Sequence, residues 1–285
     1  MSMESNNSAT RAVGGSTGGG APRGSAYGPF ETLLTEVTDG VLLVTFNRPD
    51  VRNAINRQVQ LDLRAALDIA RADDTVGAVV LTGAGEKAFI AGADISQVAG
   101  YSKATALDSD LQRLFDLVED FPKPTIAAIN GFALGGGCEI AMACDIRIAS
   151  ASARLGLPET ALSVLPGAGG TQRLGRLIGT GRAIELILTG RMVDADEAVR
   201  IGLVTSVVAP DELLDAARTT AAMILARGPL ATRLAKLVIR AGMDADQRTG
   251  QVVERLAQAV LYESDDKREG TEAFLGKRPP QFTGR

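Results

Sequence analysis

An α/β fold with a helical C-terminal region is predicted by three features of the sequence. Apolar runs with strand character alternate with segments of helical period through the first two thirds of the chain. Glycine-rich loops recur between them. From Gly169 onward the periodicity is mostly helical. Alternation of this kind implies crossover connections, and the helical remainder is expected to cover the core or a neighbouring subunit.

The elements follow in order. Residues 1–28 are rich in Ser, Gly, Asn and Ala without an apolar period, so burying them would not repay the cost of ordering them, and a disordered extension is expected. Two short runs, Phe30 to Val37 and Val41 to Phe46, flank Asp39-Gly40, a strong hairpin signal. Val59, Leu63, Ala66, Leu67 and Ala70 form a helical stripe, and Val76 to Leu81 reads as a buried strand. A glycine loop from Gly83 to Gly92 precedes a helix bearing Leu111, Leu114, Phe115 and Val118, then a strand from Thr125 to Ile129. Gly135 to Ala143 reads as a helix and Ile146 to Ala149 as a strand. Helical patterns then cover Ala183 to Leu188, Ala195 to Arg200, Leu213 to Ala226, Pro229 to Arg240 and Gln251 to Tyr262. The expected organisation is an α/β core over 29–210 and a helical, oligomer-forming region over 211–285.

Composition narrows the chemistry. The chain of 285 residues contains no histidine, which removes the commonest general base and metal ligand, so acid/base work falls to Asp, Glu, Lys, Tyr or Cys. With 30 basic against 34 acidic residues and no Trp, neither an electrostatic preference for nucleic acid nor a base-stacking platform is expected. No stretch reaches the roughly 18 apolar residues of a membrane span, and an apolar signal core is not seen at the N-terminus. Cys138 and Cys144 point to different faces of one helix-like segment, which disfavours a local disulfide and fits a reducing, cytoplasmic setting.

The most informative residues are two Gly-flanked segments, Ala91-Gly92-Ala93-Asp94 and Gly135-Gly136-Gly137-Cys138-Glu139, followed by Pro158-Glu159. Gly135 to Gly137 precede a helix whose first turn leaves free N–H groups and a partial positive charge, where an oxyanion can sit; close backbone packing at a turn is the alternative. Asp94 reads as a helix cap. Two donor loops in one core raise the oxyanion reading, since such a hole uses two convergent N–H groups. Glu139 leaves the same first turn as Gly136, either as a glutamate favoured by the helix dipole or as a group facing a bound carbonyl. Glu159 follows Pro158 at a helix start, and Leu155, Leu157, Leu162, Val164 and Leu165 are expected to surround it and raise its pKa. Cys138, Ser163 and Thr171 have no histidine to activate them. Arg48, Arg52, Lys87 and Lys277 are cations available to a phosphate-bearing ligand.

At these residues the chain resembles the crotonase, or enoyl-CoA hydratase, superfamily from about Phe30 to Phe282. The resemblance rests on an ordered series: Asn47-Arg48-Pro49 with Asn53-Ala54; Ala88 to Ile95, reading AFIAGADI; and Asn130 to Glu139, reading NGFALGGGCE. It continues through Pro158-Glu159, Leu165 to Leu174, reading LPGAGGTQRL, and Phe274 to Arg278, reading FLGKR. It implies a crotonase-like spiral of repeated ββα turns with a C-terminal helical region, assembled as a homotrimer or a dimer of trimers.

By the same resemblance, backbone N–H groups of Ala91 and Gly136 hold a thioester oxygen. Glu139 activates water for attack at the β-carbon and Glu159 delivers a proton to the α-carbon. Substrate contacts carry over to Arg52, Ala54, Ala91, Gly92, Ala93, Asp94, Ile95, Gly136 and Gly167, with Phe274 and Lys277 approaching coenzyme A, often from an adjacent subunit. The implied reaction is reversible hydration of a trans-2-enoyl-CoA to the 3-hydroxyacyl-CoA in fatty-acid β-oxidation or a related pathway. No metal is implied, and no cofactor beyond the coenzyme A of the substrate. Another crotonase reaction, such as isomerisation or hydration of a branched or aromatic acyl-CoA, and non-catalytic acyl-CoA binding are the alternatives. Leu157 stands where close hydratases often carry Gln, which bears on acyl preference, and Gln258 stands near a frequent aromatic.

Overall fold

After an opening hairpin, three successive turns of the chain each contribute one strand to a large sheet and one to a small sheet before helices close the repeat. A computed structural model describes residues 27–285. The large sheet contains β1 (Leu33–Thr38), β2 (Val41–Phe46), β3 (Ala78–Gly83), β5 (Thr125–Ile129), β7 (Ile146–Ser150) and β10 (Ser206–Val208), in the order β1-β2-β3-β5-β7-β10. Only the β1–β2 hairpin is antiparallel within it. The small sheet orders β4 (Ala88–Ile90), β6 (Phe132–Leu134), β8 (Arg154–Gly156) and β9 (Val193–Asp194). Successive pairs β3/β4, β5/β6 and β7/β8 are the strand pairs of the ββα spiral expected from the resemblance.

Strand periodicity explains the layers. In β3 and β5, Val79, Leu81, Ala127 and Ile129 face the main core, while Ala78, Val80, Ile126 and Ala128 face the opposite side. Strands covered on both faces lose the polar alternation of a half-exposed sheet, so they read as unbroken apolar runs. Helix α9 (Leu213–Leu225) covers the second face through Leu213, Ala217 and Ala221. The division expected at residue 211 therefore falls before a helix that belongs to the sheet. On the main-core side, α1 (Arg57–Ala72) buries Val59, Leu63, Ala66, Leu67 and Ala70, the stripe read from sequence, and starts at Asn56, whose Oδ1 accepts the Val59 N–H at 2.9 Å.

The expected extension ran through residue 28, and its first 26 residues lie outside the described ones. Tyr27 instead belongs to the fold: it is 5% exposed, and its hydroxyl donates to Asp73 Oδ2 at 2.7 Å. Between β4 and β5 the chain forms α2 (Ile95–Val98), α3 (Lys103–Leu107) and α4 (Asp110–Glu119). Helix α5 (Gly136–Ala143) follows β6 and is buried along its whole length. Helices α6 (Gly170–Ile178), α7 (Thr180–Thr189) and α8 (Ala195–Arg200) precede α9.

Helices α10 (Pro229–Met243), α11 (Gln247–Tyr262) and α12 (Asp265–Leu275) complete the chain. Neither α10 nor α11 contains a buried residue, and Leu237, Ile239, Leu256 and Val260 are exposed. Ion pairs tether α10 to the core: Lys236 and Arg240 each approach Asp145 at 2.8 Å, and Arg240 reaches Glu119 at 2.7 Å. Among the described residues no helix is long and apolar enough to cross a membrane.

Candidate active site

The N-terminus of α5 is the centre of the site, and close packing explains why glycines form it. A Cβ on Gly137 would lie 2.0 Å from the Ile90 carbonyl oxygen of β4, a contact no side chain tolerates. Gly135 has φ of 50°, in the left-handed region, and a Cβ there would stand 2.9 Å from Glu159 Oε1. Close packing, one of the two readings of these glycines, is therefore met here. Packing brings α5 against β4 on one side and leaves its first turn, with no side-chain cap, facing Glu159 on another. The Gly136 N–H has no acceptor among the described residues.

Glu139 sits in that first turn and is only 2% exposed. Its Oε1 accepts the N–H groups of Ala168 and Gly170, each at 2.8 Å. Burial pushes its pKa above the ordinary carboxylate value, while these two amides and the charge of Arg173 oppose the rise. Ala168 and Gly170 were not read from sequence as groups that hold a side chain. The signal available was Gly169-Gly170 immediately before a helix, where uncapped amides collect.

Glu159 lies at the start of a single 3-10 turn, Glu159–Leu162, beyond the end of β8, rather than at the start of a full helix. Its Oε2 is buried without a hydrogen-bond partner. Burial pushes its pKa up to about 7, and the neighbouring charge of Glu139 acts in the same direction. The raised value agrees with the sequence reading, but its surroundings do not. Leu155 and Leu157 are buried, whereas Leu162, Val164 and Leu165 are exposed, because the turn carries them outward past the carboxyl. Cys138 stands beside both acids, and burial together with the charges of Glu159 and Glu139 pushes its thiol up to about 12. A thiol so protonated is a packing group at neutral pH.

The second donor loop corrects one expectation. The Ala91 N–H donates to the Arg52 carbonyl at 3.1 Å, so it is committed to structure and is not a free oxyanion donor. Two residues on, the Ala93 N–H has no acceptor among the described residues, and its nitrogen lies 3.8 Å from the position a Cβ on Gly136 would occupy. A parallel bridge fixes this geometry: Ile55 N–H donates to Gly92 O, and Asp94 N–H donates to Ile55 O, both at 2.9 Å. Gly92 adopts φ of 114°, which lets the loop reverse between the committed and the free amide. Ile55 and Leu111 add apolar walls, with Cδ1 3.5 Å and Cδ2 3.9 Å from the same point beside Gly136.

The remaining residues fall into four groups. Asp94 caps α2, as expected: it accepts the Ser96 hydroxyl at 2.7 Å and N–H at 3.3 Å and pairs with Arg48 at 3.5 Å. Those interactions, led by the Ser96 hydrogen bond, hold it below the usual carboxylate range. Arg52 and Ala54 lie on the bridging loop, whose shape is pinned by buried Asn53: its Nδ2 donates to Ala88 O at 2.8 Å and its Oδ1 accepts Arg48 N–H at 3.0 Å. Ile95 and Gly167 are exposed. Phe274 and Lys277 stand exposed at the end of α12, where the Lys277 N–H donates to Phe274 O at 3.2 Å. Among the described residues no cluster of His, Cys, Asp or Glu is placed to hold a metal ion.

Comparison with known proteins converges on one family. The family model described as enoyl-CoA hydratase/isomerase matches residues 36–285. A crotonyl-CoA hydratase of Syntrophomonas wolfei is 42% identical over 255 residues, covering 89% of this chain and 98% of the relative. A short-chain-enoyl-CoA hydratase of Clostridium acetobutylicum is 45% identical over 254 residues, covering 87% and 96%. The crystal structure of an enoyl-CoA hydratase from Bacillus anthracis superposes with a TM-score of 0.87 at 43% identity, covering 90% of this chain and all of that one.

Proposed function

The chain belongs to the enoyl-CoA hydratase/isomerase family, and on that premise we propose that it is a lyase adding water reversibly across the double bond of a trans-2-enoyl-CoA to give the 3-hydroxyacyl-CoA, in fatty-acid β-oxidation or a related acyl-CoA pathway. One observation carries the reading: two carboxyls with opposed hydrogen-bonding environments adjoin a helix N-terminus with a free amide. In the hydration direction Glu139, ionised, takes a proton from water as its oxygen bonds to the β-carbon. The π electrons move toward the thioester oxygen, where the Gly136 and Ala93 N–H groups receive the developing charge. Glu159, protonated, then gives its proton to the α-carbon. Return of the proton from Glu139 to Glu159 through solvent restores both groups; the sum is then one water added with no change of net oxidation state, so the reaction asks for no redox cofactor, and coenzyme A enters only as part of the substrate.

Arg52, Ala54, Gly92, Ala93, Ile95 and Gly167 are the proposed contacts around the thioester and nucleotide loop, with Phe274 and Lys277 contributing at a subunit boundary. Asp94 is a further proposed contact on this loop, which it shapes by capping α2. A homotrimer or dimer of trimers is the proposed assembly, supported by the apolar side chains that α10 and α11 leave exposed. A cytoplasmic setting is proposed from the two buried free cysteines.

Two of the relatives carry the names crotonyl-CoA hydratase and short-chain-enoyl-CoA hydratase, which makes crotonyl-CoA the first substrate to test. Loss of its conjugated enoyl absorbance is expected on adding the protein, with 3-hydroxybutyryl-CoA as product. Retention of that absorbance across a panel of enoyl chain lengths would overturn the reading.

A further inference from the structure

We propose that Arg173 is a positioning residue that sets the ionisation and placement of Glu139 without touching substrate; the inference rests on the roles proposed above for the two glutamates. Arg173 lies in the first turns of α6, 7% exposed, and its guanidinium has three distinct acceptors. Nη1 donates to Ala168 O at 2.8 Å, Nε to Glu119 Oε2 at 2.6 Å and Nη2 to Asp116 Oδ1 at 2.7 Å. Ala168 is therefore held at both ends: its carbonyl by Arg173, and its N–H by Glu139 Oε1.

The loop is built around the guanidinium rather than merely near it. Gly169 has φ of 98°, and a Cβ there would sit 2.1 Å from Arg173 Nη1, so only glycine lets the backbone wrap this closely. The wrapped segment is the same one that presents the Ala168 and Gly170 amides to Glu139. Glu119 and Asp116 of α4 fix the other edge of the planar fork, so Ala168 and α4 are registered through one rigid group. Glu119 also accepts from Arg240 of α10 at 2.7 Å, which anchors that carboxylate from a second direction.

The test compares Arg173→Met, Arg173→Lys and the double variant Asp116→Asn/Glu119→Gln with the parent. The Glu139 carboxyl is titrated in the substrate-free protein by carbon-13 NMR, its signal assigned from its disappearance in Glu139→Gln. Arg173→Met is expected to raise the apparent pKa of Glu139 and move the acidic limb of the pH–rate profile upward. It should lower kcat by about 10- to 100-fold and leave KM for crotonyl-CoA within about threefold. Arg173→Lys keeps the charge but not the fork, so it should restore the limb more fully than the rate. The double variant turns two charged partners of the guanidinium into neutral amide acceptors, which loosens the fork and should lower kcat by less than Arg173→Met.

A folded Arg173→Met with unchanged Glu139 titration and kcat overturns the proposal. If that variant does not fold, unchanged readouts in a folded double variant overturn it equally. Failure of the functional reading is distinguished by the parent alone: a parent without hydratase activity removes that reading, while the NMR titration still decides whether Arg173 controls Glu139.

Discussion

Glu139 and Glu159 adjoin one buried helix terminus with opposite hydrogen-bond environments: Glu139 Oε1 accepts two amides at 2.8 Å each, whereas Glu159 Oε2 is buried with no partner. Hydrogen bonds to a carboxylate favour its charged form, and burial without them favours the neutral acid. Both groups are raised by burial, but the rise of Glu139 is opposed by two loop amides and the charge of Arg173, whereas that of Glu159 is opposed only by its own backbone amide. The pair is thus divided into a base and an acid by surroundings alone, from two side chains of the same type.

That division predicts a pH profile. Glu159 must be protonated to donate, and its pKa is pushed up to about 7, so kcat/KM for crotonyl-CoA should fall as pH rises through about 7. Glu139 must be ionised to accept, so activity should also fall toward acid. A stopped-flow profile between pH 5 and 9 reads both limbs, and a profile flat from 6 to 9 would remove Glu159 from the donor role.

The same shift has a sign for stability. A carboxyl whose folded pKa lies above its unfolded value of 4.5 leaves the folded state holding more protons between those pH values, so stability declines as pH rises from about 4.5 to 7. Glu159→Gln cannot ionise and escapes that decline. Relative to the parent, the variant should gain about 1–2 kcal/mol between pH 5 and pH 8, after discounting for solvent screening of a partly exposed group. Urea denaturation at the two pH values measures it, and hydratase activity should drop in the same variant.

Two glycines in one helix separate site geometry from helix propensity. A Cβ on Gly170 would lie 2.8 Å from Glu139 Oε1 and 2.9 Å from its Cγ and from Pro166 Cβ, while one on Gly175 would meet nothing within 4 Å. Gly170→Ala is expected to displace the carboxylate, lowering kcat by about 10- to 100-fold with a stability loss of about 1–3 kcal/mol. Gly175→Ala should keep parental kcat and add about 0.5–1 kcal/mol through lower unfolded-state entropy. Steady-state kinetics and thermal melts on both variants make the comparison, and equal kcat in the two would contradict it.

The sequence was most legible where one local rule governed one element. Asp39-Gly40 marked the β1–β2 hairpin, the stripe from Val59 to Ala70 marked α1, and the glycines before Cys138 marked the start of α5. The short strands β4, β6, β8 and β9 were not read, since runs of two or three residues carry no usable period and are stabilised by partners distant in sequence. The outward course of Leu162, Val164 and Leu165 was hidden for a related reason. Apolar character predicts burial on average, and only the 3-10 turn after Pro158 fixes which way these residues point. The Ala168 contact to Glu139, and the Arg173 contacts to Ala168 and Glu119 behind it, depend on bringing α4, α5 and the start of α6 together, which no single window of sequence encodes.

The two alanines of the Ala91-Gly92-Ala93 segment give the sharpest test of how the thioester oxygen is held, because their side chains are identical and only their N–H partners differ. Ala91 donates to Arg52 O at 3.1 Å, and Ala93 has no acceptor among the described residues. Replacing one backbone N–H by oxygen, through an amide-to-ester exchange, deletes the donor while keeping the side chain. At position 91 the exchange removes a hydrogen bond of the fold, so stability should fall by about 0.5–1.5 kcal/mol with activity retained in the folded fraction. At position 93 it removes a group facing Gly136 and no hydrogen bond that this N–H donates within the fold, so stability should fall by less than at 91, while loss of one of two oxyanion donors should lower kcat by about 100- to 1,000-fold. The ester at 93 also weakens the Gly92 carbonyl as acceptor for Ile55 N–H. That side effect is a stability term, so it appears in the melting curve rather than in kcat. Inverted results, with the rate loss at 91 and the stability loss at 93, would return the donor role to Ala91.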